Sequence, residues 1–528
     1  MEVNKRDLKL AIMTGLNPMQ QLFDQKQNNL PYFGNCMTSG ADFGNTHHKS
    51  FSPSHIPGRW LAALLSAESV IGTVISEEAI NKLRYWAFKS IENTMIGFPA
   101  CMNETGSSLA PVTDLHNLRE VMHALYALTA FRNDHKAMVL ASGLIETIDR
   151  YYDYNNCCFL EKEFERNTGG KAICCAATKN EKFPFPPTFG RYIGPLVKLY
   201  KASGYTGALR QAIMLKDVAF RYILNENGDY DVDLFGSHTH STTSMVSSLA
   251  QLGEVISDRN ILDRVDRFMK NGLNTIALDF GWCIENYHRD DMVGEINNTA
   301  DIMESYLILA KAGYAGYYSK AERILRTHLL PSQLLDTSFI PDTNIGNSPR
   351  YFAEQSKGAF GFPCPYGHED HPGARISFNW DIVGGGVLGL CKAWESIVTV
   401  NEGLVSINLL FDITTDMLNF SSPYNENMKA SLILYKKAPV RIRIPDGSII
   451  FAIEGCKHFI NDEWVYLSDP PTGVKIIIVF QFLEQIRTYT FRNKQIVFRT
   501  NGEEVTGASS HGKRLCFFEE IECEQLLG

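Results

Sequence analysis

The stretch NNTADIMESYLILAKAGYAGYYSKAERILRTHLL, residues 297–330, decides how the rest of the chain is read. Its first half is almost continuously apolar from Tyr306 to Ala310, and a short break follows at Ala312-Gly313. Its second half sets apolar residues among charged ones at helical spacing. An apolar helix turned back onto an amphipathic one is the unit of a two-layer assembly. The first helix is covered on most sides, and the second keeps one wet face.

The same plan recurs outward from this unit. Residues 115–152 give two helices joined at Arg132-Asn133-Asp134, and residues 189–224 turn at Ser203-Gly204. Residues 239–273 repeat it again, residues 55–95 form a further hairpin, and WDIVGGGVLGLCKAWESIV (380–398) is a last apolar segment. The copies recur at roughly 50 to 70 residues and give about eleven helices, close to the twelve of a six-hairpin toroid. A superhelical solenoid is the rival, but it does not account for the long Gly/Pro/His-rich insertions. On a toroid such insertions gather at the mouth of a central funnel.

After about residue 402 the period changes. Runs such as PVRIRI, SIIFAIEG, VKIIIVFQF and KQIVFRT are β-branched and aromatic, separated by turn signals such as Asp446-Gly447 and Asn501-Gly502. The expected fold is therefore mainly α with a C-terminal all-β domain. Residues 1–50 form an N-terminal arm, 51–402 an (α/α)6 toroid and 403–528 an antiparallel β-sandwich. The triple glycine at 384–386 lacks a preceding strand and a following Lys-Ser/Thr, so close helix packing is expected there rather than a phosphate loop.

Composition narrows the function. The net charge of −9 and absence of a Lys/Arg block argue against a nucleic-acid surface. No apolar run is long enough to cross a membrane, and the N-terminus lacks the apolar core of a secretory signal. The cysteine spacing, with the adjacent pairs Cys157-Cys158 and Cys174-Cys175, does not resemble a disulfide framework. A cytoplasmic protein is expected, and a homo-oligomer is compatible with the sequence.

Five segments carry His, acid and Arg residues just before apolar helices. They are Asp114, His116, Arg119 and Glu120; Arg191; His238 and His240; Glu285, His288, Arg289, Glu295, Asn297, Asn298 and Asp301; and Cys364, His368, Glu369, Asp370, His371, Arg375 and Asp381. Loops at one end of successive inner helices converge on one cavity. Two carboxyl groups flanking the scissile bond are the minimum for most glycoside hydrolysis, and the best pair combines Glu285 with Glu295 or Asp381. His116, Arg191, His238, His240, His288, Asn298, His368, His371 and Arg375 are expected to bind sugar hydroxyls or a carboxylate. Thr299 reads as an N-cap and Asp301 as an ion-pair partner on the helix. His238-x-His240 and His368-x-x-His371 have metal-like composition without a zinc-finger spacing. No cofactor is therefore expected, although a divalent metal is compatible. Cys364, near His368, invites a thiolate reading against a structural one.

The succession HIPGRWLAALL, LHNLREVMHALYAL, FGRYIGPLVKLYKASG, THSTTSMVSSLAQLGE, GEINNTADIMESYLILAKAGYAGYYSKAERILRTHLL and WDIVGGGVLGLCKAWESIV resembles the glycoside hydrolase family 127 superfamily, typified by β-L-arabinofuranosidases. The resemblance implies the toroid, a sugar pocket lined by His116 and His238 or His240, and an acid/base Glu at Glu285. It also implies a zinc site of one Glu and three Cys. Here the Glu-x-Cys positions fall at Asn297 and Thr299, and a Cys pair is reduced to Cys364. The expected function is a glycoside hydrolase acting by carboxylate acid/base catalysis on an oligosaccharide or glycoside. The alternatives are a lyase or epimerase acting on uronic-acid sugars and a non-catalytic glycan-binding protein.

Overall fold

The computed structural model describes residues 3–34, 46–92, 94–174, 186–290, 292–340, 352–368, 378–509 and 515–521. Twelve of its helices form two concentric rings. The inner helices are α2 (Ser52–Ile71), α4 (Leu118–Arg132), α6 (Pro186–Ser203), α8 (Thr239–Val255), α10 (Ile296–Lys311) and α12 (Trp380–Ile397). Each packs on the next, and α12 closes back on α2. The outer helices are α1 (Leu8–Gln21), α3 (Glu77–Ile91), α5 (His135–Tyr151), α7 (Thr206–Tyr222), α9 (Arg259–Lys270) and α11 (Tyr317–Ile324). Each of the last five packs on the inner helix preceding it, while α1 packs on α12. The twelfth helix thus comes from the segment read as an N-terminal arm.

The two layers follow from their side chains. In α8 every residue from Thr239 to Gly253 is buried, because both neighbours and the outer ring cover it. In α9 only Ile261, Leu262, Val265, Asp266, Phe268 and Met269 are buried, which leaves a wet face of Arg, Asn and Lys. Glycine permits the close approach of the inner helices. A Cβ on Gly58 would lie 1.8 Å from the Glu120 carbonyl oxygen, and one on Gly385 would lie 1.9 Å from Asn297 Oδ1. The triple glycine is therefore a packing surface, as the sequence implied. No helix among the described residues is long and apolar enough to cross a membrane.

The C-terminal region is strand-rich, as expected, and its strands lie in several sheets. The first sheet runs Val398–Asn401, Leu404–Ile407, Val440–Arg443, Trp464–Ser468, Lys457–Asn461. The second runs Ile413–Thr414, Leu418–Ser421, Lys429–Leu434, Lys475–Phe482, Ser448–Glu454. A third contains the hairpin Glu484–Phe491 and Lys494–Asn501, then Glu504–Ala508 and Glu519–Glu520. Two pairings are parallel, Leu404–Ile407 with Val440–Arg443 and Glu504–Ala508 with Glu519–Glu520. Alternating runs predict strands but not the partner each strand finds.

A buried ion network joins the helices to the sheets. Glu322 on α11 accepts from Arg326 at 2.8 Å and from Arg443, and its other contact is the Leu410 amide at 2.9 Å. Arg323 donates to Glu503 at 3.1 Å. Arg326, Arg443, Glu322 and Glu503 are all fully buried. Breaking such a cluster from one side leaves charge without a partner. Glu322→Ala is therefore expected to cost about 3–5 kcal/mol, read as a lowered denaturation midpoint, whereas removal of the exposed Lys437–Asp469 pair should leave the midpoint unchanged.

Candidate functional site

The chemistry-bearing side chains gather where the inner helices begin. Outer helices α1, α3, α5 and α9 are capped by the side chains of Asp7, Ser76, Asp134 and Asp258. The inner N-cap residues Asn117, His238, Glu295 and Asn379 make no such capping bond. Asn117 instead contacts His55, Glu295 faces His240, and His238 Nδ1 lies 2.9 Å from Ser241 Oγ.

A charged belt crosses four inner helices. The Glu120 carboxylate accepts from Arg191, from Arg119 at 3.0 Å and from Arg59 at 3.3 Å. Arg59 also donates to Asp381 at 3.0 Å, and Arg191 donates to the His116 ring at 2.8 Å. His55 lies between Asp381 Oδ1 at 2.7 Å and Asn117 Oδ1 at 2.6 Å. Burial alone would raise the Glu120 pKa, but Arg191, His55, Arg119 and Arg59 outweigh it and hold it well below the usual range. Burial likewise opposes ionisation of Asp381, and Arg59 and His55 reverse this to lower its pKa. Burial and Arg191 keep His116 neutral.

A second group lies across the funnel. The 283–295 segment folds back on itself, with the Glu285 amide donating to Val293 and the Glu295 amide to Cys283. Backbone bonds from Thr239 to Glu285 and from Tyr287 to Ser237 then fasten this loop beside the start of α8. His240 is buried, with Nδ1 3.5 Å from Glu295 and Nε2 3.4 Å from Asp301. Neither ring nitrogen has a hydrogen-bond partner. Glu295 also accepts from Asn297 Nδ2 at 2.8 Å. Burial, reinforced by Glu285 and Asp381 and opposed by Arg59, pushes the Glu295 pKa up to about 8. Burial lowers His238 to about 3 and His240 well below its ordinary value. His238, His240 and Glu295 each offer a ligand atom, and these atoms lie within 4.8 Å of one another, a donor set compatible with a divalent cation.

Several expected residues lie elsewhere. His368 is buried against Phe378 and Phe517 and contacts the Ser332 carbonyl at 3.1 Å, which makes it part of the packing beside the third sheet. His288 is exposed on its loop. Asn298 is consumed internally, donating to Thr239 at 3.0 Å and accepting from Thr243. Arg191 is fully buried, and its two terminal nitrogens are engaged by Glu120 and His116, so it supports the site. Asp301 pairs with His240 rather than with an Arg or Lys. Thr299 is not an N-cap, because Glu295 holds that position and the Thr299 hydroxyl donates to the Gly281 carbonyl at 2.7 Å. Glu369, Asp370, His371 and Arg375 lie outside the described residues.

His55 and Arg59 were not singled out from the sequence. Their signal is their spacing, one turn apart on a helix whose other residues from Ser52 to Ala67 are also buried. A charged side chain there requires a buried partner. The belt yields a pH-dependent expectation. Because the folded-state Glu120 pKa is depressed, its contribution is fully present above the unfolded value and lost as pH falls below about 4.3. Glu120→Gln should destabilise the protein at pH 7 by about 3–5 kcal/mol, and the gap from wild type should narrow in denaturant titrations below pH 4.

The zinc–cysteine centre implied by the resemblance does not fit these residues. Asn297 donates to Glu295, Thr299 donates to a carbonyl, and the buried Cys364 thiol donates to the Gly367 carbonyl at 2.8 Å. No family model matches the chain, and no curated protein matches it. Solved structures do. A GH127 β-arabinofuranosidase aligns with a TM-score of 0.61 at 12% identity, covering 96% of this chain and 83% of its own. A GH127 β-L-arabinofuranosidase from Geobacillus stearothermophilus T6 aligns at 0.60 and 12%, covering 96% and 86%. A third, described only as a glycoside hydrolase, aligns at 0.54 and 11%, covering 92% and 84%. This chain has a distant GH127-like fold, a helical toroid with a strand-rich C-terminal region.

Proposed function

We propose that the protein is a glycoside hydrolase, with Glu285 as general acid and Asp381 as the ionised partner carboxylate. The observation that carries this reading is that acids from distant segments stand at one end of the ring, with the Glu285 carbonyl bonded to the Thr239 amide at the start of α8, Glu295 at the N-cap of α10 and Asp381 in the first turn of α12. Their accessibilities separate the roles. Side-chain exposure is 19% for Glu285, 10% for Asp381 and 5% for Glu295. A proton donor must touch the glycosidic oxygen, which favours Glu285 at the rim. Glu295 lies deeper, bound to Asn297 and facing His240.

In this reading Glu285 protonates the leaving oxygen while Asp381, held ionised by Arg59 and His55, assists at the anomeric carbon as base or nucleophile. His55 is a positioning residue that fixes one Asp381 oxygen. Among the described residues, Arg59 and Arg191 are both engaged by Glu120, so neither guanidinium is offered to the carboxylate of a uronate substrate.

The fold neighbours make aryl β-arabinofuranosides the first substrates to assay, followed by aryl pyranosides and uronides. On a cleaved substrate, Glu285→Gln and Asp381→Asn should each lower kcat at least about 10²-fold, with unchanged circular dichroism. Full activity in both variants refutes the assignment, and glycan binding without turnover in the wild type would favour a non-catalytic role. The lowered Asp381 pKa keeps it ionised as pH falls, so the acid limb should lie below about pH 3.9. His55→Gln should move that limb upward while leaving the basic limb in place.

A further inference from the structure

We propose that His238, His240 and Glu295 form a divalent transition-metal site at the start of α8 and α10. This goes beyond the acid pair of the proposed hydrolysis, which uses Glu285 and Asp381, and its ligands are not the cysteines implied by the resemblance. Zinc is the natural occupant. Two imidazoles and one carboxylate are a sufficient protein set for a four-coordinate ion whose last position takes water or substrate.

Three observations point there together. The ligand atoms of the three residues lie within 4.8 Å of one another although Glu295 is 55 positions from His240. His240 is 1% exposed, and neither ring nitrogen finds a hydrogen-bond partner. A buried polar group left unpaired costs about 1–3 kcal/mol, so a ring aimed between two carboxylates needs a function. The surroundings also have the form of an outer ligand shell. Asp301 faces His240 Nε2 at 3.4 Å, on the opposite side of the ring from Glu295. Asn297 Nδ2 holds one Glu295 oxygen at 2.8 Å, and Ser241 Oγ lies 2.9 Å from His238 Nδ1. Carboxylate and hydroxyl partners of this kind fix the tautomer and orientation of ligating imidazoles.

Backbone structure brings the ligands together. His238 and His240 bracket the first residue of α8, and Glu295 is the N-cap of α10. Asn298, one turn into α10, donates to Thr239 and to the Ile284 carbonyl, which fixes the two helix starts against each other. The site is thus set on rigid elements rather than on a long loop.

The test uses the full chain and the metal alone. After chelator treatment and dialysis against zinc, elemental analysis should give about one equivalent per chain. Substitution with cobalt should give the intense visible bands of a four-coordinate centre. His238→Gln, at the partly exposed rim, and Glu295→Gln should each reduce occupancy to background while retaining wild-type circular dichroism. Asp301→Asn should bind zinc about 10–100-fold more weakly. His368→Gln, which removes a buried histidine elsewhere, should bind as wild type. Substoichiometric zinc in the wild type overturns the proposal, as does wild-type affinity in both His238→Gln and Glu295→Gln. These readouts need no substrate. Zinc binding without glycoside cleavage would therefore sink the hydrolase reading and leave the metal site, while glycoside cleavage by a wild-type chain that fails to take up zinc would do the reverse.

Discussion

The grip of one carboxylate on three guanidinium groups organises this molecule. Glu120 is fully buried and faces Arg59, Arg119 and Arg191. An isolated charge in that position would be prohibitive. Three cations around one anion would also be costly, but Arg59 passes its second contact to Asp381 and Arg191 passes its own to His116. Charge is thereby distributed from α4 to α2, α6 and α12. The ring is held at the end where its helices begin, and Asp381 acquires the environment that keeps it ionised.

That arrangement depends on how closely the helices meet. Gly58 sits against the Glu120 backbone, and Gly385 sits against Asn297. A side chain at either point would separate the helices by more than a hydrogen bond can tolerate. The missing caps serve the same end. Outer helices spend Asp and Ser side chains on their own amide groups, whereas Asn117 and Glu295 turn theirs to His55 and His240. Some local helix stability, about 1 kcal/mol per cap, is thus exchanged for polar groups facing a common mouth.

Much of this was legible in the sequence. Paired apolar and amphipathic helices reveal the ring, because burial on all sides and burial on one side leave different periodicities. The triple glycine read as a packing surface, and the polar clusters before inner helices marked the mouth. The remainder was hidden for identifiable reasons. His55 and Arg59 lie within a helix whose apolar neighbours dominate its pattern, and only their partners, over 60 residues distant or more, reveal their role. Asn298 and His368 have the composition of ligand-binding groups, yet the fold spends them on Thr239 and Ser332. Sequence records which groups can form hydrogen bonds, not which are already satisfied. Strand pairing was hidden similarly, since Leu404–Ile407 finds Val440–Arg443 in parallel across an intervening excursion.

The fold therefore constrains where chemistry occurs more tightly than which chemistry occurs. An inner-helix start is a fixed platform, and changing its side chains alters the available donors without moving it. At Asn297 and Thr299, hydrogen-bonding groups tie Glu295 and the Gly281 carbonyl in place. Neither residue offers a carboxylate or a thiolate. Across the gap, His238 and His240 present nitrogen donors from the start of α8 toward Glu295. A distant fold relative can consequently share the geometry of the funnel while differing in the groups that face its substrate.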